Sequence, residues 1–222
     1  LMPGEKMVLD LFEKELNDDW EIYVQPHING LKPDFVLINP NSAIGVFEIK
    51  DWKLKERNYQ FIKNTNQLST ESSNEVFPNP INQINKYKQL ILELYCPRLR
   101  ESFHKGYPAI TAGLIFPFAT EEVVTELFQN SKSLLSGYKV GDQYTPISGS
   151  NAINNRDLKV IFPESFRIKS NLINKETTKD FRDYLLEPDY IQEINNPIRL
   201  DKVQKKFVDT KSKNGFRRIK GP

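Results

Sequence analysis

The sequence has few of the features of secreted, membrane-spanning or cysteine-ligated proteins. It contains one cysteine and two histidines in 222 residues, so it cannot form an internal disulfide or a cysteine-rich zinc site. No apolar run approaches the roughly 20 residues that are needed to span a bilayer. The amino-terminal segment also lacks the apolar core of a signal peptide. These absences predict a cytoplasmic protein that makes no contact with a membrane.

An excess of charge of one sign is also missing. The chain has 31 Lys and Arg residues against 29 Asp and Glu residues, for a net charge of +2, which does not indicate any partner by itself. It contains no G-x-x-x-x-G-K-[ST] sequence, so we expect no ATP binding through a phosphate-binding loop of this chain. What it does contain, 38% hydrophobic and 11% aromatic residues, suffices for a large domain with a packed core.

The spacing of hydrophobic residues predicts an α/β fold. Helical periodicity predicts helices over residues 4–16, 81–95, 120–128 and 176–186. Alternating or continuous apolar runs predict strands over residues 20–25, 33–38, 44–50, 109–116 and 158–162. The polar stretch 63–79, which is rich in Asn, Ser and Thr, predicts a loop. This order of elements indicates a mixed β-sheet flanked by helices.

Turn-forming residues between the second and third of these strands predict a β-hairpin. A five-residue loop, 39–43, places the following pairs opposite one another: Ile38 and Ile44, Val36 and Val46, and Asp34 and Glu48. Because side chains alternate across a strand, all six lie on one face of the hairpin. Lys50 lies two residues beyond Glu48 and is therefore on the same face.

The pairing of Asp34 with Glu48 indicates a metal site. Two exposed carboxylates directly opposite one another repel by about 0.2–1 kcal/mol, and a bound Mg²⁺ or Mn²⁺, which prefers hard oxygen ligands, reverses that repulsion. Lys50 beside them could orient or deprotonate a water, or stabilise charge on a phosphorane. This combination suits phosphodiester hydrolysis. The alternative is a solvated face on which Glu48 and Lys50 pair with each other.

Three further residues extend the candidate site. Gln83 and Tyr87 are four residues apart and share one face of the predicted helix 81–95, from which they could reach water or phosphate over a neighbouring strand. Glu5, in the first turn of the first helix, could supply another carboxylate. The alternatives are that Tyr87 is an ordinary core residue and that Glu5 complements the helix dipole.

Taken in chain order, a set of short motifs resembles the nuclease-related domain (NERD) family of the PD-(D/E)XK superfamily. The motifs are Gly4-Glu5, Pro33-Asp34, Glu48-Ile49-Lys50, Asn79-Pro80 and Gln83-x-x-x-Tyr87. The last of them is also similar to the corresponding helix of RecB-type nucleases. The resemblance covers roughly residues 3–120.

This resemblance implies a restriction-endonuclease-like core and an Mg²⁺- or Mn²⁺-dependent deoxyribonuclease. It implies Asp34 and Glu48 as metal ligands, with the backbone carbonyl of Ile49 as the third. It assigns the other roles as follows: Lys50 as the catalytic lysine, Glu5 as an accessory acid, and Gln83 and Tyr87 as residues that support the site.

The carboxyl-terminal end resembles the start of a superfamily-1 DNA helicase, through Leu200-x-x-x-Gln204 and residues 216–222. The resemblance implies a nuclease domain over 1–170, then a linker and the truncated start of a motor domain over 171–222. ATP would act only through the missing helicase part. Such fusions occur among bacterial DNA-processing and anti-phage defence proteins. The nine Lys and Arg residues of segment 199–220 could contact DNA phosphates, or could form a solvated surface that packs on the motor.

Two other functions fit a nuclease-like domain of this kind. It could be a catalytically silent module that places DNA for the motor, or an assembly domain that joins subunits. Neither function needs the full set of Asp34, Glu48 and Lys50. Among the remaining residues, His27 and His104 are expected at the surface. Trp52 is expected in the core or at its rim, although it lies two residues past Lys50 and could contact a base or sugar.

Overall fold

The chain folds around a five-stranded mixed β-sheet. The computed structural model describes residues 1–63, 65–71, 73–96, 99, 110–129 and 143–185, which belong to one compact unit, Leu1–Leu185. The strands lie in the order β1 (Glu21–Val24), β2 (Phe35–Asn39), β3 (Ala43–Ile49), β7 (Ile110–Ile115) and β8 (Ile147–Ser148). Pairing is antiparallel from β1 to β3 and parallel from β3 to β8. The predicted α/β class with a mixed sheet is therefore confirmed.

Helices flank the sheet, as the hydrophobic spacing predicted. They are α1 (Pro3–Glu15), α2 (Leu54–Arg57), α3 (Pro80–Leu90), α4 (Glu121–Phe128), α5 (Ser150–Asn154), α6 (Leu158–Ile161) and α7 (Lys179–Leu185). A π-helical turn, Ile91–Tyr95, continues α3 to the predicted end of that helix. Among the described residues, no helix is long and apolar enough to cross a membrane.

The β2–β3 hairpin has the predicted register. Ile38 pairs with Ile44 and Val36 with Val46. Asn39 also pairs with Ala43, so the connecting turn has three residues and is shorter than the expected five-residue loop. Every residue of both strands is buried, because helices cover the sheet on its two sides.

The two faces of the sheet carry separate hydrophobic clusters. Side chains alternate along a strand, so Ile44 and Val46 of β3 pack with α3 and β7 on one face. Phe47, which lies between Val46 and Glu48, packs on the other face, with Phe12 of α1 and with Phe162. The first is hereafter called the α3 face and the second the α1 face.

Residues 63–79, predicted to be a loop, instead contribute two strands to a small antiparallel sheet. That sheet consists of β4 (Tyr59–Phe61), β5 (Gln67–Thr70) and β6 (Ser73–Pro78). Its one-sided packing explains the error, because Leu68 pairs with Phe77 and is fully buried while Gln67 is exposed. Polar strand residues are compatible with a sheet that buries only one face.

The predicted strand 158–162 is also wrong, because these residues form α6 and the start of a 3₁₀ turn, Pro163–Phe166. Leu158, Ile161 and Phe162 are buried, whereas Val160 between them is 42% exposed. Burial at positions i, i+3 and i+4 is helical, and a short apolar run cannot distinguish the two periods.

The predicted helix 176–186 is confirmed, although it is shorter. It forms α7, and its Arg182 makes a bidentate ion pair with Glu21 of β1. Phe181 of α7 is fully buried and contacts Tyr95. The described chain thus remains packed on the sheet as far as Leu185. The predicted boundary at residue 170 remains a prediction.

Candidate active site

Asp34 and Glu48 meet at the end of the hairpin where β2 begins and β3 ends. The last paired step of the hairpin joins Phe35 to Phe47, and the next position places Asp34 beside Glu48. Asp34 is fixed there by a hydrogen bond, since the amide of Ile49 donates to its Oδ2 at 2.7 Å. The strand register thus brings together the two carboxylates that the sequence pattern singled out.

Glu48 lies at the centre of the site and is only 6% exposed. Lys50 Nζ donates to its Oε1 at 2.7 Å, and the hydroxyl of Tyr87 donates to its Oε2 at 2.9 Å. The alternative of a Glu48–Lys50 pair is therefore correct as to the contact, but the side chains of Lys50 and Glu48 are only 18% and 8% exposed and do not lie on a solvated face.

Gln83 and Tyr87 of α3 complete a closed ring of hydrogen bonds. Gln83 Nε2 donates to the Tyr87 hydroxyl at 2.6 Å, and Gln83 Oε1 accepts from Lys50 Nζ at 3.1 Å. The four side chains of Glu48, Lys50, Gln83 and Tyr87 are hereafter called the polar ring. Each bond in it has a suitable donor and acceptor, so the buried polar atoms satisfy one another.

The start of α3 determines where these two side chains lie. Asn79 caps the helix by accepting a hydrogen bond from the Ile81 amide at 3.0 Å, and Pro80 occupies the first helical position, which proline favours. Asn79 also donates to Asn66, which precedes β5, at 2.8 Å. The Asn79-Pro80 pair therefore has a structural role.

Glu5 is buried in the first turn of α1. Its Oε2 accepts from the Met2 amide at 2.8 Å and from Gln25 Nε2 at 3.1 Å. Glu5 thus stabilises the start of its helix through a capping box. This role is structural, like the alternative of helix-dipole complementation, which itself stays a prediction. Its negative charge also acts on Asp34.

Burial and the negative charge of neighbouring carboxylates raise the pKa of Asp34 to about 7. Burial is the largest cause, and the negative charge of Glu48 is the next. The hydrogen bond from Ile49 and the positive charge of Lys50 oppose the shift but do not cancel it. Three carboxyl groups, Asp34, Glu48 and Glu5, thus act at one place together with a single ammonium group, Lys50. Such an excess of carboxyl groups favours a bound cation.

The donor set fits a hard divalent cation. Within the described ranges, no group of three or more His, Cys, Asp or Glu residues could hold a metal ion. Mg²⁺ does not need such a group, because it keeps several waters and is bound by one or two carboxylates. Asp34 and Glu48 supply these two, and each carboxylate oxygen can accept more than one partner. The amide of Ile49 donates to Asp34. The role of the Ile49 carbonyl as a third ligand stays a prediction.

Gln25 is a residue of the site that the sequence did not reveal. Its backbone N–H donates to the backbone carbonyl of Asp34 at 2.8 Å, and its side-chain amide donates to Glu5. It has a φ of 48°, a left-handed conformation that is unfavourable for glutamine. Backbone strain of this kind is common at functional sites. No local sequence pattern predicts it.

Asp51 is a second residue that was missed, although its position directly after Lys50 offered a signal. Its Oδ2 accepts from the Gly4 amide at 3.2 Å. A Cβ at Gly4 would lie only 2.0 Å from Asp51 Oδ1. The glycine of the Gly4-Glu5 motif is therefore required by the close approach of Asp51 to α1.

The remaining candidates are not members of the polar ring or lie outside the described residues. His27 is exposed, as expected. Trp52 is half-buried beside Lys50, whose Nζ lies 5.9 Å from the centre of its ring. His104 and the whole segment 199–220, with Gln204, lie outside the described residues.

Comparison with known proteins identifies the family. No curated protein and no solved structure gave a significant match to the chain. The family model described as nuclease-related domain matches residues 2–117, which is more than half of the sequence. The matched range runs from α1 through β7 and includes Asp34, Glu5 and every member of the polar ring. The chain therefore belongs to the nuclease-related domain (NERD) family, and its function is nuclease-related.

Proposed function

We propose that this chain is a metal-dependent nuclease domain that hydrolyses phosphodiester bonds of DNA, with a PD-(D/E)XK core. The observation that carries the proposal is the polar ring, in which buried Glu48 is paired with the partly buried Lys50 beside the carboxylate of Asp34. Two hard oxygen donors and one ammonium group at the same end of a sheet are suited to the hydrolysis of a phosphodiester.

Asp34 and Glu48 would hold Mg²⁺ or Mn²⁺, with the carbonyl of Ile49 as a third ligand. A divalent cation held there supplies positive charge, which stabilises the phosphate in the transition state and makes water more acidic. The raised pKa of Asp34 supports this assignment, because burial and the charge of Glu48 disfavour the ionised form of Asp34, which a bound cation would favour.

Lys50 would orient the attacking water and stabilise the negative charge that develops on the phosphate. Its amine donates to both Glu48 and Gln83, so it is held in one place before substrate arrives.

Tyr87, Gln83 and Glu5 would be positioning residues. Tyr87 donates to Glu48 and is 1% exposed, so it fixes the orientation of that carboxylate. Gln83 holds both Tyr87 and Lys50. Glu5 acts on Asp34 through its charge, as an accessory acid.

The biological setting is proposed from sequence resemblance alone. In this proposal residues 1–170 are the nuclease domain, and residues 171–222 lead into a superfamily-1 helicase, through which ATP would act. The protein would work in the cytoplasm, in DNA processing or anti-phage defence.

A second candidate function has one observation in its favour. Both carboxylate oxygens of Glu48 are already bonded, to Lys50 and Tyr87. The polar ring is thus satisfied without a cation, as a catalytically silent DNA-binding or assembly module would require. Under this alternative the residues of the ring only stabilise the α3 face.

Cleavage assays with matched variants separate the two functions. Supercoiled and circular single-stranded DNA are incubated with the chain in Mg²⁺ or Mn²⁺, with a chelator as control. We expect Asp34→Asn and Lys50→Ala to lower the rate roughly a hundredfold or more. Asp10→Asn and Lys14→Ala are the controls, because these residues form an exposed ion pair elsewhere on α1, and they should cut at the wild-type rate.

Binding of Mn²⁺, followed by electron paramagnetic resonance, is the second readout. We expect Asp34→Asn to lose Mn²⁺ and Lys50→Ala to retain it, because Asp34 is a proposed ligand and Lys50 is not. A wild-type chain that binds DNA but neither binds Mn²⁺ nor cuts would establish the silent module instead.

A further inference from the structure

We propose that Gln83 receives the ammonium group of Lys50 when a divalent cation binds to the Glu48 carboxylate, so that Lys50 changes its partner within the polar ring. This inference rests on the proposed function and makes Gln83 a positioning residue for Lys50. It concerns how the ring responds to a cation, and it can therefore fail while the proposed nuclease function stands.

Two donors share the carboxylate of Glu48. Lys50 Nζ donates to its Oε1 at 2.7 Å, and the Tyr87 hydroxyl donates to its Oε2 at 2.9 Å. The side chain of Glu48 is only 8% exposed, so solvent screens the charges at these contacts weakly. A divalent cation that binds to Glu48 therefore has to share the carboxylate with the ammonium group, with the hydroxyl group or with both.

The ammonium group of Lys50 is the donor that has to move. It repels a cation at the same carboxylate, because both are positively charged, whereas a hydroxyl group is neutral. The Lys50 side chain is 18% exposed and has a flexible stem. Tyr87 is 1% exposed, and Gln83 Nε2 also donates to its hydroxyl at 2.6 Å. Charge and freedom of movement thus both select Lys50.

Gln83 offers the ammonium group a second acceptor inside the ring. Its Oε1 already accepts from Lys50 Nζ at 3.1 Å, which is longer than the 2.7 Å contact of Lys50 with Glu48. The bond from Gln83 Nε2 to Tyr87 fixes the orientation of the amide, so that its oxygen faces Lys50. Lys50 can therefore release Glu48, strengthen its bond to Gln83 and stay in the ring.

This change of partner makes a further donor available to the substrate. An ammonium group has three protons, and Glu48 and Gln83 engage two of them. Release from Glu48 frees one of these protons for an oxygen of the phosphodiester, which carries a negative charge that both the cation and Lys50 attract. We therefore expect the cation to bind before the phosphodiester.

A double-mutant cycle on Mn²⁺ affinity, measured by electron paramagnetic resonance without DNA, tests the exchange. Lys50→Met keeps the aliphatic stem and removes the competing charge, so it should bind Mn²⁺ roughly tenfold more tightly than the wild type. Gln83→Met removes the second acceptor and should bind Mn²⁺ roughly threefold to tenfold more weakly. Lys14→Met is the matched control, because Lys14 pairs with Asp10 at an exposed position, and it should bind as the wild type does.

The double variant separates this exchange from a purely structural role of Gln83. In the Lys50→Met background there is no ammonium group to receive, so adding Gln83→Met should hardly change the Mn²⁺ affinity. A structural Gln83 would weaken Mn²⁺ binding by the same factor in both backgrounds, and that result would overturn the proposal. Binding by Lys50→Met that is no tighter than that of the wild type would overturn it as well.

Nuclear magnetic resonance on the wild type gives a readout that depends on no variant. The scalar coupling across the hydrogen bond between Lys50 Nζ and the Glu48 carboxylate is measured in chelator and again with saturating Mg²⁺. We expect Mg²⁺ to abolish this coupling and to leave the coupling of Lys50 Nζ to the Gln83 amide. Bound Mg²⁺ with an unchanged Lys50–Glu48 coupling would reject the exchange and leave the proposed nuclease intact. A chain that binds neither Mg²⁺ nor Mn²⁺ would overturn both proposals.

Discussion

The two faces of strand β3 differ in what they bury and in how that burial is stabilised. On the α1 face, Phe47 packs with Phe12 and Phe162 at ring distances of 5.3 Å and 5.2 Å. On the α3 face, the next residue, Glu48, is buried in the polar ring. Apolar contacts stabilise the α1 face. The α3 face also buries charged groups, which reduces its contribution to stability. Two consecutive residues of β3 thus have different roles, because Phe47 packs the core on one face and Glu48 belongs to the candidate site on the other.

The largest effect should come from breaking the α1 face. Phe47→Ala removes a fully buried ring that also fills the space above Gly45 and Gly113. We expect the free energy of unfolding to fall by about 3–5 kcal/mol, as measured by urea denaturation. Phe118→Ala is the matched control, because Phe118 is 43% exposed, and it should cost far less. Equal losses in the two variants would contradict the difference between the faces.

A smaller loss should follow from opening the polar ring. Tyr87→Phe removes the donor to Glu48 Oε2 and the acceptor for Gln83. We expect a loss of about 1–3 kcal/mol together with a large fall in any nuclease rate. Tyr23→Phe is the control, since the Tyr23 hydroxyl donates to Glu21 at 2.8 Å on a less buried strand. It should cost less and leave the rate unchanged.

Removing the charge of Asp34 from the α3 face should instead raise the free energy of unfolding. The pKa of Asp34 is about 7 in the folded chain against about 3.9 when unfolded. From about pH 4 to 7 the folded state therefore binds more protons, and its stability falls as the pH rises. Asp34→Asn should abolish this fall.

Thermal unfolding in chelator across this pH range measures the effect. We expect Asp34→Asn to match the wild type near pH 4 and to melt higher at pH 8, with about 2–4 °C for each kcal/mol gained. Added Mg²⁺ should stabilise the wild type more than the variant. A wild type and variant with parallel pH profiles would show that Asp34 is not destabilised by its neighbours.

The smallest effect concerns the strained backbone at the edge of the site. Both Gln25→Ala and Gln25→Gly lose the bond to Glu5, but only glycine relieves the φ of 48°. Gln25→Gly should therefore be more stable than Gln25→Ala by up to about 1 kcal/mol. At Val24, in the extended strand β1, the order should reverse, because glycine weakens a strand. The same order at both positions would argue against strain at Gln25.

Much of the α3 face could be predicted because its central signal is local. The period of two along β2 and β3 placed Val36 opposite Val46, and the same alternation carries Glu48 and Lys50 to one face. The roles of Asp34, Glu48 and Lys50 in catalysis, and the cation, remain predictions that the assays above address.

The errors arose where local pattern and tertiary packing disagree. Residues 63–79 have the composition of a loop, yet Leu68 and Phe77 pair in a sheet that buries one side. Residues 158–162 have the composition of a strand, yet the α1 face buries them as a helix. In both segments the secondary structure depends on which side chains pack against the rest of the fold, and composition alone does not give that information.

By itself the sequence determined the fold class, the hairpin register and the membership of the nuclease-related domain family, since each depends on short-range periodicity or on ordered motifs. Only the tertiary structure decided that α3 brings Gln83 and Tyr87 to Glu48, that Asp51 approaches Gly4, and that Gln25 is held in a left-handed conformation. The contacts join residues 20 to 50 positions apart in the sequence. The left-handed conformation is a strain on a single backbone angle. The free energy of these contacts comes from desolvation and packing around the site, which exist only in the folded chain.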